Sequence, residues 1–102
     1  MDRMSWAKYA IEALKNGKTA TIKPRGNSMK PKVHSGDEVI LEPVVELSVN
    51  NIVLVKVRGR HYLHLIKAID GDRYLIGNNR GHINGWVGRS AIYGKVTQIT
   101  RK

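Results

Sequence analysis

From residue 18 onward the sequence is a succession of short segments rich in β-branched and aliphatic residues, separated by glycine, proline, asparagine or aspartate. Segments of this kind are typical of β-strands. They predict strands over residues 18–23, 38–44, 51–57, 61–69, 73–77 and within 86–99. Most of the chain is therefore expected to form β-structure.

Two tight turns predict how neighbouring strands connect. Arg58-Gly59-Arg60 separates two of the segments, and Asp70-Gly71-Asp72 separates the next two. Glycine beside a polar residue favours the short turns of antiparallel hairpins. The fold is predicted to be mainly β, a partly closed antiparallel β domain. Residues 78–85, which are polar and rich in glycine, are predicted to form a loop.

The first seventeen residues follow a different pattern, which predicts an amphipathic helix over residues 3–16. Five apolar residues recur at spacings of three and four, as on one face of a helix: Trp6, Tyr9, Ala10, Ala13 and Leu14. Asn16-Gly17 ends the pattern with a typical helix stop. We expect this helix (residues 1–17) to precede the β domain (residues 18–102), within one folded unit.

Composition excludes several classes of site and location. The chain of 102 residues has no cysteine, which excludes disulfides, thiolate zinc sites and a cysteine nucleophile. No apolar run approaches the roughly 18 residues that a membrane span needs. We therefore expect a cytoplasmic protein without a membrane span and without a cofactor. The formal net charge of +10 favours an anionic partner, which is nucleic acid, an anionic membrane surface or an acidic protein.

Residues 24–37, PRGNSMKPKVHSGD, contain the strongest candidate for a reactive group. Gly26 allows a tight turn that would expose Ser28 and direct backbone N–H groups towards an oxyanion. A serine hydroxyl needs a neighbouring base, and His64 lies on a predicted strand. Its ordinary pKa near 6.5 leaves it mostly neutral at pH 7. The alternatives are an ordinary turn serine and a half-buried strand histidine.

This segment resembles the G-x-S-M-x-P…G-D-x-V signature of the serine peptidase superfamily that contains LexA-type repressors and signal peptidases. Later segments follow in the family's order, over about residues 22–99. Asn50-Asn51-Ile52-Val53 is similar to its Gly-Asp-Ile-Val strand, with both leading residues changed. Residues 62–66 match the strand of the catalytic Lys or His, Gly77-Asn78-Asn79 resembles its Gly-Asp-Asn segment, and residues 92–96 resemble its closing strand.

The resemblance implies a catalytic dyad of Ser28 as the nucleophile and His64 as the general base. It also implies that Gly26, Asn27 and Met29 form the nucleophile turn and oxyanion hole. In relatives that use histidine, an aspartate orients the base. Asn78 occupies that place here, and an asparagine cannot stabilise the imidazolium by charge. Asp70 and Asp72 are the other candidate orienting residues, although both also suit a turn.

No metal site is predicted. His61 and His64 form an H-x-x-H pair, but an odd spacing on a strand places two side chains on opposite faces. A shared metal ion is therefore not expected.

Three functions remain open from the sequence. The first is a serine peptidase that cuts another protein, because the Ala-Gly and Cys-Gly dipeptides at which the repressors cut themselves do not occur here. The second is a catalytically weak or inactive peptidase fold that binds a peptide or protein partner. The third is a basic β domain that binds nucleic acid. The resemblance also implies a homodimer through residues 91–99.

Overall fold

The structure, a computed structural model, describes residues 5–26 and 28–101, with side chains described from Ala7 onward. Within these residues one helix, α1 (Ser5–Lys15), precedes seven strands. The strands are β1 (Ala20–Ile22), β2 (Glu38–Pro43), β3 (Ile52–Val57), β4 (Arg60–Asp70), β5 (Arg73–Gly77), β6 (Ile83–Gly88) and β7 (Ile92–Thr100), and a 3₁₀ turn (Arg89–Ala91) joins the last two.

All seven strands belong to one antiparallel sheet in the order β1-β2-β7-β3-β4-β5-β6. The last strand of the chain therefore lies between β2 and β3 rather than beside β6. The sheet curls, and a Cβ placed on Gly85 of β6 would lie 3.8 Å from Val57 of β3. The prediction of a mainly β fold, partly closed and preceded by one helix, is confirmed.

The hairpin between β3 and β4 has the turn that its sequence predicts. Val57 pairs with Arg60, which leaves a two-residue loop. Both loop residues have positive φ, 50° at Arg58 and 83° at Gly59. Two successive positive φ angles define the type I′ turn that matches the twist of antiparallel strands. The turn therefore sets the register of β4, and with it the position of His64 opposite Val53.

The buried face of α1 matches the predicted one in part. Ala10 and Leu14 are buried and Ala13 packs against the core, as predicted, whereas Tyr9 is 77% exposed and Ala7, which was not in the predicted set, is buried. The side chain of Trp6 lies outside the described part. Residues 3 and 4 also lie outside it.

Two clusters of buried side chains hold the sheet together. The first lies between α1 and the strands under it, and it includes Leu14, Leu41 and Leu54. Met29 and Val33, from the segment between β1 and β2, belong to the same cluster. The second cluster packs β3 to β6 and includes the buried residues Val53, Val55, Ile66, Ile76 and Val87. The turn that carries Ser28 is thus tied to the first core.

No helix among the described residues is both long enough and apolar enough to cross a bilayer.

Candidate active site

The turn that presents Ser28 is held by contacts on both of its sides. Gly26 has a φ of 107°, a conformation that favours glycine. Directly after Ser28, Met29 is buried in the core at 5% exposure, and its carbonyl oxygen accepts a hydrogen bond from Val33 N–H at 3.0 Å. Burial of Met29 directs the neighbouring Ser28 away from the core, where it is half-buried.

A second loop clamps the same turn from the opposite side. Asn79 N–H donates to the carbonyl oxygen of Ser28 at 3.0 Å. The Asn79 side-chain amide donates to the carbonyl oxygen of Lys30 at 2.9 Å. These two bonds join the β5–β6 loop to the nucleophile turn, across a separation of about fifty residues in the chain. The position of Ser28 therefore depends on both loops.

His64 lies on β4 and faces Ser28. Its side chain is 6% exposed, and its Nε2 atom lies 3.2 Å from Ser28 Oγ. Tyr62, two residues earlier on the same face of the strand, stacks on the imidazole with ring centroids 4.9 Å apart. The structure thus brings together the serine and the histidine that the sequence analysis proposes as a dyad.

The other imidazole nitrogen is bound by Asn84, which the sequence analysis did not select. His64 Nδ1 and Asn84 Oδ1 are 2.7 Å apart. A side-chain amide oxygen can only accept, so Nδ1 must carry the proton of the neutral ring and donate it. Nε2 then keeps its lone pair and accepts a hydrogen bond from the Ser28 hydroxyl. This is the tautomer that a general base at Nε2 requires.

A β-bulge places Asn84 at this position. Ile76 of β5 pairs with Gly85, and the next residue, Gly77, pairs with Ile83. Asn84 is therefore an extra residue in β6, and a bulge of this kind redirects the side chain. Gly85 supports the bulge with a φ of 139°. A glycine within a strand pattern is a known signal for a bulge, but residues 78–85 were predicted as a loop.

The predicted orienting residues lie elsewhere. The Asn78 side-chain oxygen accepts from the backbone N–H groups of Arg80 at 2.8 Å and His82 at 3.0 Å, so it organises its own loop instead of reaching His64. Asp70 ends β4 and Asp72 follows in the hairpin. At about 3.3 Å per residue, Asp70 is about 20 Å along the strand from His64. The amide bonded to His64 in this structure is that of Asn84, not of the predicted Asn78.

The predicted oxyanion hole is described only in part. Gly26 and Met29 have the positions given above, and Asn27 lies outside the described residues. Among the described residues, no acceptor is paired with the backbone N–H of Ser28 or Met29.

Burial determines the protonation state of His64. Removal from water lowers the pKa of its imidazole below the ordinary value of 6.5. The hydrogen bond that Nδ1–H donates to Asn84 raises this pKa by a smaller amount, and the nearby His82 lowers it further. Because the charged form is disfavoured, His64 is neutral at pH 7 and able to accept a proton.

Ser28 and His64 open into a cleft of about 380 Å³. One wall is the segment 23–26, which follows β1, and the other is the part of β4 at residues 61–64. Met29, Val33 and Leu63 provide apolar surface in the cleft, and His34 lies at its border. Residues 61–64 pair with β3 on one side, whereas pairing with β5 on the other side begins only at Leu65.

Two other polar groups near the site, Asp37 and His61, have structural partners. Asp37 is buried, and its carboxylate accepts from the His34 N–H at 2.8 Å and lies 3.4 Å from Arg101 Nε. It therefore shapes the turn before β2. His61 packs against the ring of Tyr93, 5.9 Å between centroids, and has different neighbours from His64. Among residues 5–26 and 28–101, no group of acidic and histidine side chains is arranged to hold a metal ion.

Comparison with known families gives one match over nearly the whole chain. A family model described as Peptidase S24-like matches residues 2–97. The match includes α1, all of β1 to β6 and the residues of the site. None of the curated proteins matches the chain significantly.

Proposed function

The chain belongs to the Peptidase S24-like family, and we propose that it is a serine peptidase in which Ser28 is the nucleophile and His64 the general base. One observation carries the proposal. Ser28 Oγ lies 3.2 Å from a buried, neutral imidazole whose other nitrogen is held by Asn84 at 2.7 Å. A nucleophile, a base and a group that orients the base are the arrangement that activates a serine hydroxyl.

The proposed reaction begins with proton transfer from Ser28 Oγ to His64 Nε2 as Oγ attacks the carbonyl carbon of a peptide bond. The backbone N–H groups of the nucleophile turn stabilise the negative charge on the carbonyl oxygen. His64 then returns the proton to the leaving amine, and the C–N bond breaks to give an acyl-enzyme. A water molecule then gives a proton to His64 and attacks the ester carbonyl. The bond to Ser28 Oγ breaks, the new carboxyl terminus leaves, and His64 returns the proton to Oγ.

Asn84 supports this reaction only in part. Its carbonyl oxygen selects the required tautomer, but it has no charge to stabilise the imidazolium that forms in the transition state. In a serine protease with a Ser-His-Asp triad, replacement of the aspartate by asparagine lowers turnover by about 10⁴. In that case the asparagine also selects the wrong tautomer of the histidine. We therefore expect slow turnover that depends strongly on how well the substrate is held.

We propose that the substrate is another polypeptide, bound in an extended conformation along β4. The free side of residues 61–64 has backbone groups available to a peptide strand, since β5 pairs with β4 only from Leu65. Strand addition to a sheet edge supplies binding through main-chain hydrogen bonds, and pockets beside it supply selectivity. The apolar surface at Met29, Val33 and Leu63 lies beside Ser28 and suits a small apolar side chain.

Covalent labelling by a fluorophosphonate probe tests the catalytic proposal. The wild-type protein should form one adduct on Ser28, located by mass spectrometry of the digested protein. Ser28→Ala should remove the adduct, and His64→Ala should slow labelling by at least about 100-fold, because general-base catalysis contributes about 10²–10⁴-fold. Ser35→Ala, which changes an exposed serine in the same segment, should label like the wild type. Equal labelling of all four proteins would refute the dyad.

A second candidate function is peptide binding without cleavage, which the neutral Asn84 favours. It predicts that the peptide binds but is recovered intact and that the probe does not label Ser28.

The strand order of the sheet limits which residues the expected homodimer could use. Gly94 and Lys95 of β7 pair with both β2 and β3, so pairing with a second copy would use residues 96–100, which pair with β2 only.

A further inference from the structure

The cleft is lined by cations and by no carboxylate among the residues that the structure describes. Lys23 and Arg25 form part of one wall, and His34, His61 and His64 lie around the remaining surface. Lys23 and Arg25 are both exposed. The one ion pair within residues 5–26 and 28–101 joins Arg101 to Asp37, so no described carboxylate neutralises either cation. The cleft therefore has a positive potential, which attracts anionic groups.

The segment that carries these cations contains Pro24, which restricts its backbone. Proline fixes φ near −65°, and the residue before it is restricted to extended conformations. Lys23 and Arg25, on either side of Pro24, both line the cleft. Alternate residues of an extended chain are about 6.6 Å apart and project to the same side. Side chains at two alternate positions of a bound peptide have the same spacing.

From these observations we propose that the cleft selects an extended polypeptide with acidic side chains at two alternate positions next to the bond that is cut. Lys23 and Arg25 are then specificity-determining residues, each placed to contact one carboxylate. This inference rests on the proposed function for the location of the cut, and it adds the chemical class of the substrate.

A peptide fits the cleft better than a nucleic acid does. Single-stranded nucleic acids bind through aromatic side chains on which successive bases stack. Among the lining residues that the structure describes, Tyr62 is the one tyrosine or tryptophan, and its ring is stacked on His64. The strand edge at residues 61–64 instead matches the hydrogen-bonding groups of a peptide backbone. Phosphate binding is therefore an outcome of the test rather than the proposal.

Binding of three peptides to the Ser28→Ala protein tests this selectivity without cleavage. The peptides carry a fluorescent label and are identical except at two alternate positions beside a central Ala-Ala, which hold Glu, Gln or Lys. Fluorescence anisotropy should show the Glu peptide binding about two- to thirtyfold tighter than the Gln peptide, as expected for two exposed ion pairs. The Lys peptide should bind most weakly. The difference should shrink at high salt.

A pair of matched charge reversals separates the cleft from the overall charge. Lys23→Glu/Arg25→Glu replaces two positive by two negative charges, so the net charge changes by −4, from +10 to +6. Lys18→Glu/Arg73→Glu makes the same change at exposed residues that do not line the cleft. The first variant should reverse the preference to the Lys peptide, and the second should keep the preference for Glu. Lys23→Gln/Arg25→Gln should abolish the preference and provides a milder variant if the reversal unfolds.

Three results would overturn the inference. The first is binding of the Glu peptide no tighter than that of the Gln peptide, and the second is the same effect from both charge reversals. The third result is that a twelve-nucleotide oligothymidylate binds more tightly than the Glu peptide and that only the variants at Lys23 and Arg25 lose this binding. Such a result would show that the two cations bind phosphate. Probe labelling of the wild type is read separately. Failed labelling with selectivity retained removes the catalytic proposal alone, and labelling without selectivity removes only this inference.

Discussion

At the scale of single residues, the two nitrogens of His64 have different neighbours and different tasks. Nδ1 is held by Asn84, and Nε2 lies beside the Ser28 hydroxyl. An aspartate in place of Asn84 would accept the same hydrogen bond and would add a negative charge. Because the transition state carries a positive imidazolium, that charge would stabilise the transition state more than the resting state. The neutral amide thus keeps the geometry of a triad without its full electrostatic contribution.

We predict that Asn84→Asp accelerates labelling of Ser28 by about ten- to a hundredfold, since an adjacent opposite charge is worth a few kcal/mol at a partly buried site. The measurement is the labelling rate between pH 5 and 9. In the wild type, burial lowers the pKa of His64 below 6.5. The labelling rate should therefore fall on the acid side of the pH profile, with a midpoint below pH 6.5. In the variant, the carboxylate raises this pKa and moves the midpoint to higher pH.

Asn84→Ala provides the control, because it removes the acceptor at Nδ1 without adding a charge. It should label more slowly than the wild type at every pH. An Asn84→Asp protein with the rate and the pH midpoint of the wild type would contradict the proposed role of Asn84 as a positioning residue.

At the scale of elements, the close approach of β5 and the β5–β6 loop positions Asn84. Asn78 N–H donates to the carbonyl oxygen of His82 at 2.9 Å. A Cβ on Gly77 would lie 2.6 Å from that carbonyl oxygen and 3.1 Å from Ile83 Cδ1. The backbone can therefore close into the bulge only because residue 77 has no side chain. The same loop, through Asn79, also holds the Ser28 turn.

Gly77→Ala should therefore lower both stability and reactivity. Overpacking of this kind costs about 1–3 kcal/mol, and here the backbone oxygen of His82 has to move. We expect a lower free energy of unfolding in urea and slower labelling of Ser28, because Asn84 and the Ser28 turn shift with the loop. Gly88→Ala is the matched control at the end of β6, where a Cβ would meet nothing within 4 Å. Equal behaviour of the two variants would show that the loop tolerates the added methyl group.

At the scale of the whole molecule, α1 and the nucleophile turn share one core. Leu14 of the helix packs directly on β7, since a Cβ on Gly94 would lie 2.7 Å from Leu14 Cδ1. The same cluster contains Met29 and Val33, which anchor the turn of Ser28. The helix α1 therefore packs into the core of the β domain.

Leu14→Ala should reduce the free energy of unfolding by about 2–5 kcal/mol, the usual cost of deleting a buried leucine side chain. Urea unfolding followed by circular dichroism measures this value, and unfolding should remain a single transition. Tyr9→Ala, on the exposed side of the same helix, should change it by no more than about 0.5 kcal/mol. A separate transition for the helix, or equal effects of the two substitutions, would contradict a shared core.

Several features of this protein follow from local sequence alone. Alternating β-branched segments and glycine turns predicted the positions of most strands and the hairpin at Arg58-Gly59. The motif around Ser28, together with a histidine on an alternating strand, predicted which two side chains meet. These features depend on backbone preferences within a few residues, or on a family motif that retains its order, and both can be read along the chain.

Only the tertiary structure decided which residue holds the histidine. Asn78 and Asn84 both lie in a polar segment rich in glycine, and no local preference distinguishes them. The choice depends on a one-residue bulge against β5 and on the close approach at Gly77, which are contacts between strands. Contacts between distant segments also place β7 between β2 and β3. They likewise form the cleft between residues 23–26 and 61–64. These positions are set by the pairing of strands that are far apart in the sequence. The side-chain pattern within one segment does not specify which strand it pairs with.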